Sequence, residues 1–151
     1  MEFKTYQEVL DFAVKNEIEA YEFYKAAAEK VTNQGAKTSF EKMAKEEQKH
    51  RELLEQYTGG ASRELHFEGA PDYKVSEQIN KVELNTDMNY TEALAVAMKN
   101  EQDAMEMYNK LASLSKDGEQ KDLFSSLATM EQEHKNMLES LYTNASSAEA
   151  W

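Results

Sequence analysis

Residues 40–57 read FEKMAKEEQKHRELLEQY, and the segment Glu47-Gln48-Lys49-His50 inside them decides how the chain is read. Glu and His three residues apart on a helix project from one face, so both side chains reach the same point. Around them Ala36, Phe40, Met43, Leu54 and Tyr57 continue in steps of four and three, the seam of a packed helix. Glu47 and His50 are the only polar members of that seam. A carboxylate and an imidazole aimed together into a bundle interior make half of a metal-binding pair.

The other half lies further along, where Glu131-Gln132-Glu133-His134 repeats the spacing within the stripe Phe124, Leu127, Glu131, His134, Leu138, Leu141. Two further stripes carry a single Glu each. One runs Tyr6, Leu10, Ala13, Glu17, Ala20, Tyr24, Ala27, Val31; the other runs Tyr90, Leu94, Ala97, Glu101, Ala104, Tyr108, Leu111. The halves match at one offset: 101 − 17 = 84, 131 − 47 = 84 and 134 − 50 = 84. Apolar positions follow the same offset while surface positions differ. This is a duplicated helical hairpin, and two copies packed together give a pseudo-two-fold four-helix bundle.

The spacing places turns at Asn33-Gln34-Gly35 and Lys116-Asp117-Gly118, and a helix end at Thr58-Gly59-Gly60. Glu17 precedes the first turn by about as many residues as Glu47 and His50 follow it, so all three sit at one height in an antiparallel hairpin. The second hairpin levels Glu101 with Glu131 and His134 in the same way. Hairpin 1 spans about 4–58 and hairpin 2 about 90–143, with Asn89 or Thr91 capping the third helix. Between them, 59–89 lacks strong periodicity, holds the only Pro (Pro71) and has at most a short helix near Ser76 to Val82. That length suits a crossover along the bundle. The domain is therefore 1–145, all-α, followed by a loose tail at 146–151.

At 151 residues the chain is long enough for one domain with a proper core. It has no Cys, which removes disulfides and thiolate metal sites. A net charge of −12 opposes nucleic-acid and anionic-membrane partners. No segment approaches transmembrane length, and a cytoplasmic location is expected.

A single core Glu or His is ordinarily a hydrogen-bonded structural residue. Six at seam positions, duplicated at one offset, are a different matter: Glu17, Glu47, His50, Glu101, Glu131 and His134 are the candidate metal ligands. Four carboxylates gathered in a core repel one another and lose hydration. Two divalent cations balance them, and mixed oxygen and nitrogen donors without thiolate suit iron or manganese, with zinc able to intrude. Tyr24 and Tyr108, seven residues after Glu17 and Glu101, either pack in the core or donate to a ligand carboxylate across the bundle. Met43, Met98, Met105, Met107, Met130 and Met137 read as core packing. His66 lies off the repeat and reads as solvent-facing.

The runs Ala13-x-x-x-Glu17-x-x-Ala20-x-x-Phe23-Tyr24 and Phe40-x-x-Met43-Ala44-x-x-Glu47-x-x-His50, with their copies around Glu101 and Glu131, resemble the ferritin-like di-iron carboxylate superfamily, nearest its rubrerythrin branch. The resemblance implies a ferritin-like bundle holding two Fe ions, with Mn or Zn as substitutes. It also implies a non-haem oxidoreductase of oxidative-stress defence, a peroxidase reducing hydrogen peroxide at a carboxylate-bridged site. The alternatives are a ferritin-like ferroxidase that handles iron and a metal-binding bundle without catalysis. Full-type rubrerythrins carry a Cys-rich rubredoxin-like relay; this Cys-free chain would take electrons from a separate donor. Their additional Glu, one turn after the third-helix ligand, is Ala104 here. A homodimer is expected, with hairpin exchange between chains as one arrangement.

Overall fold

A computed structural model describes residues 5–57, 66–68, 85–145 and 151. Four helices carry the described chain: α1 (Tyr6–Lys30), α2 (Gln34–Glu55), α3 (Tyr90–Leu114) and α4 (Gly118–Asn144). The fold is an all-α four-helix bundle, as the stripes require. Among the described residues no helix is long and apolar enough to cross a membrane.

Each helix starts on a side chain that satisfies one of its free amide N–H groups. Thr5 accepts from Glu8 N at 3.1 Å, Asn33 from Ala36 N at 2.9 Å, Asn89 from Glu92 N at 2.9 Å and Asp117 from Glu119 N at 3.2 Å. Asn89 is thus the cap of the third helix. The caps also correct the turn assignment. Gln34, Gly35 and Gly118 lie inside the first turns of α2 and α4, and the links are Val31–Asn33 and Ser115–Asp117. A capping Asn or Asp closes each link and neither glycine takes the left-handed conformation, so neither is needed for its backbone freedom. The expected helix end at Thr58-Gly59-Gly60 and short helix near Ser76 to Val82 fall outside the described residues; α2 ends at Glu55.

The core forms two apolar blocks, and each draws on all four helices. One gathers Val9, Leu10 and Ala13 of α1 with Leu54, Leu111, Phe124 and Leu127. The other gathers Phe23, Tyr24 and Ala27 of α1 with Phe40, Leu94, Ala97 and Leu138. The start of α1 therefore shares a block with the ends of α2 and α3 and the start of α4. Hence α2 runs parallel to α3, and the chain between them must travel the length of the bundle. The buried set is wider than the predicted stripes, taking in Val9, Phe23, Ala28, Ala93 and Ala112, while Tyr6, Ala20, Ala104 and Leu141 are only half-buried.

The connection is anchored at both ends of the bundle. At one end Phe67 makes an isolated antiparallel bridge with Ser115 and stacks on Tyr6, ring centroids 3.9 Å apart. The buried Gln120 donates to the His66 carbonyl at 3.0 Å and accepts from the His66 N–H at 2.9 Å. At the other end the Trp151 indole donates to the Met88 carbonyl at 3.0 Å and packs on Tyr90 and Phe23, with Lys30 Nζ 5.4 Å from its ring centre. Of the tail expected to be loose, 146–150 lie outside the described residues.

A Cβ added at Gly118 meets nothing within 4 Å, whereas one at Gly35 comes within 3.2 Å of the Asn33 cap oxygen. Gly118→Ala is expected to stabilise the protein by about 0.4–1 kcal/mol, and Gly35→Ala by less; urea unfolding of the two variants checks both.

Candidate metal centre

Between the two apolar blocks every helix presents polar side chains inward. Glu17 sits between Ala13 and Phe23 on α1, Glu47 and His50 between Met43 and Leu54 on α2, Glu101 between Ala97 and Met107 on α3, and Glu131 and His134 between Ala128 and Leu138 on α4. None is more than 4% exposed. All six predicted residues are brought into one layer.

They form two overlapping groups, in each of which one possible ligand atom per residue lies within 4.8 Å of the others. The first is Glu17, Glu47, His50 and Glu131; the second is Glu47, Glu101, Glu131 and His134. Glu47 and Glu131 belong to both. His50 Nδ1 lies 2.9 Å from Glu131 Oε1 and 3.5 Å from Glu17 Oε2; His134 Nδ1 lies 2.6 Å from Glu47 Oε1 and 3.5 Å from Glu131 Oε2. The two imidazole centroids are 5.8 Å apart.

These atoms face a common space more than one another. Glu17 Oε2, Glu47 Oε1, Glu101 Oε2, Glu131 Oε2 and His134 Nδ1 are fully buried without a hydrogen-bond partner. Glu47 Oε1 and His134 Nδ1, though close, are off the hydrogen-bonding direction and do not satisfy each other. Orphaned buried acceptors are costly and rare. Five in one layer, carried by carboxylates and imidazole, fit two divalent cations: hard oxygen donors with one nitrogen for each.

With protein groups alone, the layer compensates by holding protons. Burial, then the Glu131 charge, pushes Glu47 and Glu101 well above the carboxylate range. Burial presses Glu131 in the same direction, but hydrogen bonds with Glu101, His134 and His50 outweigh it and hold Glu131 well below that range. Burial pulls His50 down, yet Glu131 and Glu17 overcome it and raise the imidazole to about 10. His134 is raised too, with burial again opposing and Glu131 prevailing.

Tyr24 and Tyr108 do reach across the bundle. The Tyr24 hydroxyl donates to Glu101 Oε1 and the Tyr108 hydroxyl to Glu17 Oε1, each at 2.5 Å. Each phenol fixes one oxygen of a carboxylate and leaves the other turned inward. Burial first, and then Glu101 for Tyr24 or Glu17 for Tyr108, lifts both phenols well above their ordinary range, so they remain donors.

A cavity of about 40 Å³ opens beside the layer between α1 and α3, lined by Asn16, Ala20, Tyr24, Asn100, Ala104 and Tyr108 among others. It admits something the size of one or two waters and no drug-sized organic molecule.

The sequence profile of the rubrerythrin family matches residues 8–142. The chain belongs to that family. Among solved structures, a hypothetical protein from Pyrococcus furiosus is 30% identical with a TM-score of 0.68, over 91% of this chain and 87% of that one. A Thermotoga maritima protein assigned as ferritin-like diiron-carboxylate is 21% identical with a TM-score of 0.68, over 96% and 98% of the two chains. An Anabaena variabilis protein containing DJ-1/ThiJ/PfpI-like and ferritin-like domains is 19% identical with a TM-score of 0.62, over 96% of this chain and 41% of that one. Both of these last two share the fold. No curated protein matches.

In this rubrerythrin-family bundle, two residues beside the layer escaped the sequence reading. Glu46 Oε2 is 2.6 Å from His134 Nε2, and Met130 Sδ is 3.3 Å from His50 Nε2. Stripe periodicity could not find them because both lie one step off the seam. Gln120 was also missed, although the offset pairs it with the seam residue Ala36 (120 − 36 = 84). His66 is exposed, as expected.

His134→Ala is expected to lose one of two metal equivalents, Glu47→Ala to weaken both and His66→Ala to change nothing, as read by elemental analysis after metal loading. The pH response follows from His50. Its folded value of about 10 exceeds its ordinary 6.5, so in metal-free protein its contribution to stability is complete below about 6.5 and is lost as pH rises towards 10. The raised Glu47 and Glu101 act with the same sign. Thermal melts in chelator should therefore fall in Tm across that window, and saturating Mn(II) should abolish the fall.

Proposed function

We propose that this chain is a non-haem di-iron oxidoreductase that reduces hydrogen peroxide to water. The observation that carries the proposal is the small cavity bordered by the four carboxylates of the layer, Glu17, Glu47, Glu101 and Glu131. A buried, proton-rich donor set next to a space of about 40 Å³ suits a small two-oxygen oxidant. Rubrerythrin-family membership supports the choice of iron.

Two iron ions, when bound, supply the two electrons that the O–O bond takes up on cleavage. Peroxide, two electrons and two protons give two waters. A separate protein or small reductant, the kind of partner an intracellular setting provides, returns the electrons, because the chain has no Cys with which to build a thiolate relay.

The protein's own groups do the rest. Glu17, Glu47, Glu101 and Glu131 would hold the metals, with one imidazole each from His50 and His134. Tyr24 and Tyr108 keep the carboxylates of Glu101 and Glu17 from rotating. Ala20 and Ala104 leave the α1–α3 side open where longer side chains would fill it. The apolar blocks above and below exclude bulk water.

Iron-loaded protein with an excess of reductant is expected to consume peroxide well above the rate of the same concentration of free iron, and Ala104→Leu, which fills the cavity, should lower that rate at least tenfold while metal content stays at the native level. Peroxide consumption no faster than free iron, with the site fully loaded, would overturn the reading; rapid ferrous oxidation by oxygen in that same protein would point to ferroxidase chemistry.

A further inference from the structure

The repeat that relates the six candidate ligands also relates positions 46 and 130 (130 − 46 = 84), and there the two hairpins disagree: one carries Glu46, the other Met130. Each lies against the imidazole of the opposite hairpin. Both imidazoles turn Nδ1 to the carboxylate layer, so Nε2 carries the outward hydrogen. His134 donates it to Glu46 Oε2 at 2.6 Å; His50 presents it to Met130 Sδ at 3.3 Å. A carboxylate is a strong charged acceptor and a thioether a weak one. An acceptor on the far nitrogen fixes the ring's tautomer and orientation and makes the near nitrogen a better metal donor. The Glu46 side chain is 19% exposed, and Lys42 Nζ approaches only its other oxygen, at 3.9 Å. The contact with His134 is thus partly shielded and undivided.

We propose that Glu46 is a positioning residue that makes the two metal positions unequal. The position bounded by Glu47, Glu101, Glu131 and His134 binds a divalent cation more tightly and fills first. The position bounded by Glu17, Glu47, His50 and Glu131, whose imidazole has only a thioether behind it, fills second. The inference rests on the layer being a di-metal centre and is independent of the peroxide reading.

The test is titration of the metal-free full chain with Co(II), followed by calorimetry and by the visible absorption of the bound ion. Native protein should show two resolved steps. Glu46→Gln should weaken the first step about 10–100-fold and leave the second in place. Met130→Glu, which gives His50 the same acceptor, should strengthen the second step and draw the two together. Two equal steps in native protein, or an equal loss from both steps in Glu46→Gln, would overturn the inference while leaving the metal centre intact. No cobalt uptake at all would overturn both. Circular dichroism of each metal-free variant confirms that the comparison is between folded proteins.

Discussion

Four carboxylates confined to one buried layer set the terms for everything else in this bundle. Within a few ångströms of each other and out of water, they repel strongly, and the cationic partners described for them are only two imidazoles. Apolar blocks on either side close off hydration and enforce the proximity. The protein's own remedy is to retain protons on Glu47, Glu101 and His50. Two dications supply the same compensation in a form that can also do chemistry. Metal affinity and fold stability are therefore linked through a single layer of side chains.

The scaffold keeps that layer level. Both hairpins use three-residue links with an Asn or Asp cap, so the candidate ligands on the two legs of each hairpin meet at equal height. The cross-bundle phenols tie hairpin 1 to hairpin 2 at the layer itself: Tyr24 on α1 holds Glu101 on α3, and Tyr108 on α3 holds Glu17 on α1. Each hairpin thus orients a carboxylate belonging to the other.

The six candidate ligands were legible in the sequence because their signal is a polar residue where the seam requires an apolar one, given twice, and the two phenols followed from their spacing after Glu17 and Glu101. What stayed hidden had weaker signatures. Gly35 and Gly118 look like turn residues, but a capping side chain had already done the work, which residue type alone does not reveal. Val9 and Phe23 are buried because the helices present a face wider than a two-position seam, and periodicity gives the centre of a face, not its width. Glu46 looks like one more surface acid until the fold brings His134 against it, and Met130 like ordinary packing. Contacts across the bundle depend on which neighbour arrives, and that is not written in the local pattern.

Gln120 shows how a symmetric molecule can acquire a direction. Its counterpart in the first hairpin is Ala36, which has no amide to offer. With donor and acceptor side by side, Gln120 reads the peptide unit of His66 much as one base edge reads another. The departing chain is thereby committed to the α3–α4 corner. A side-chain amide present in only one of two nearly interchangeable hairpins thus joins the backbone bridge at Ser115 and the Phe67–Tyr6 stack in holding the chain at that corner.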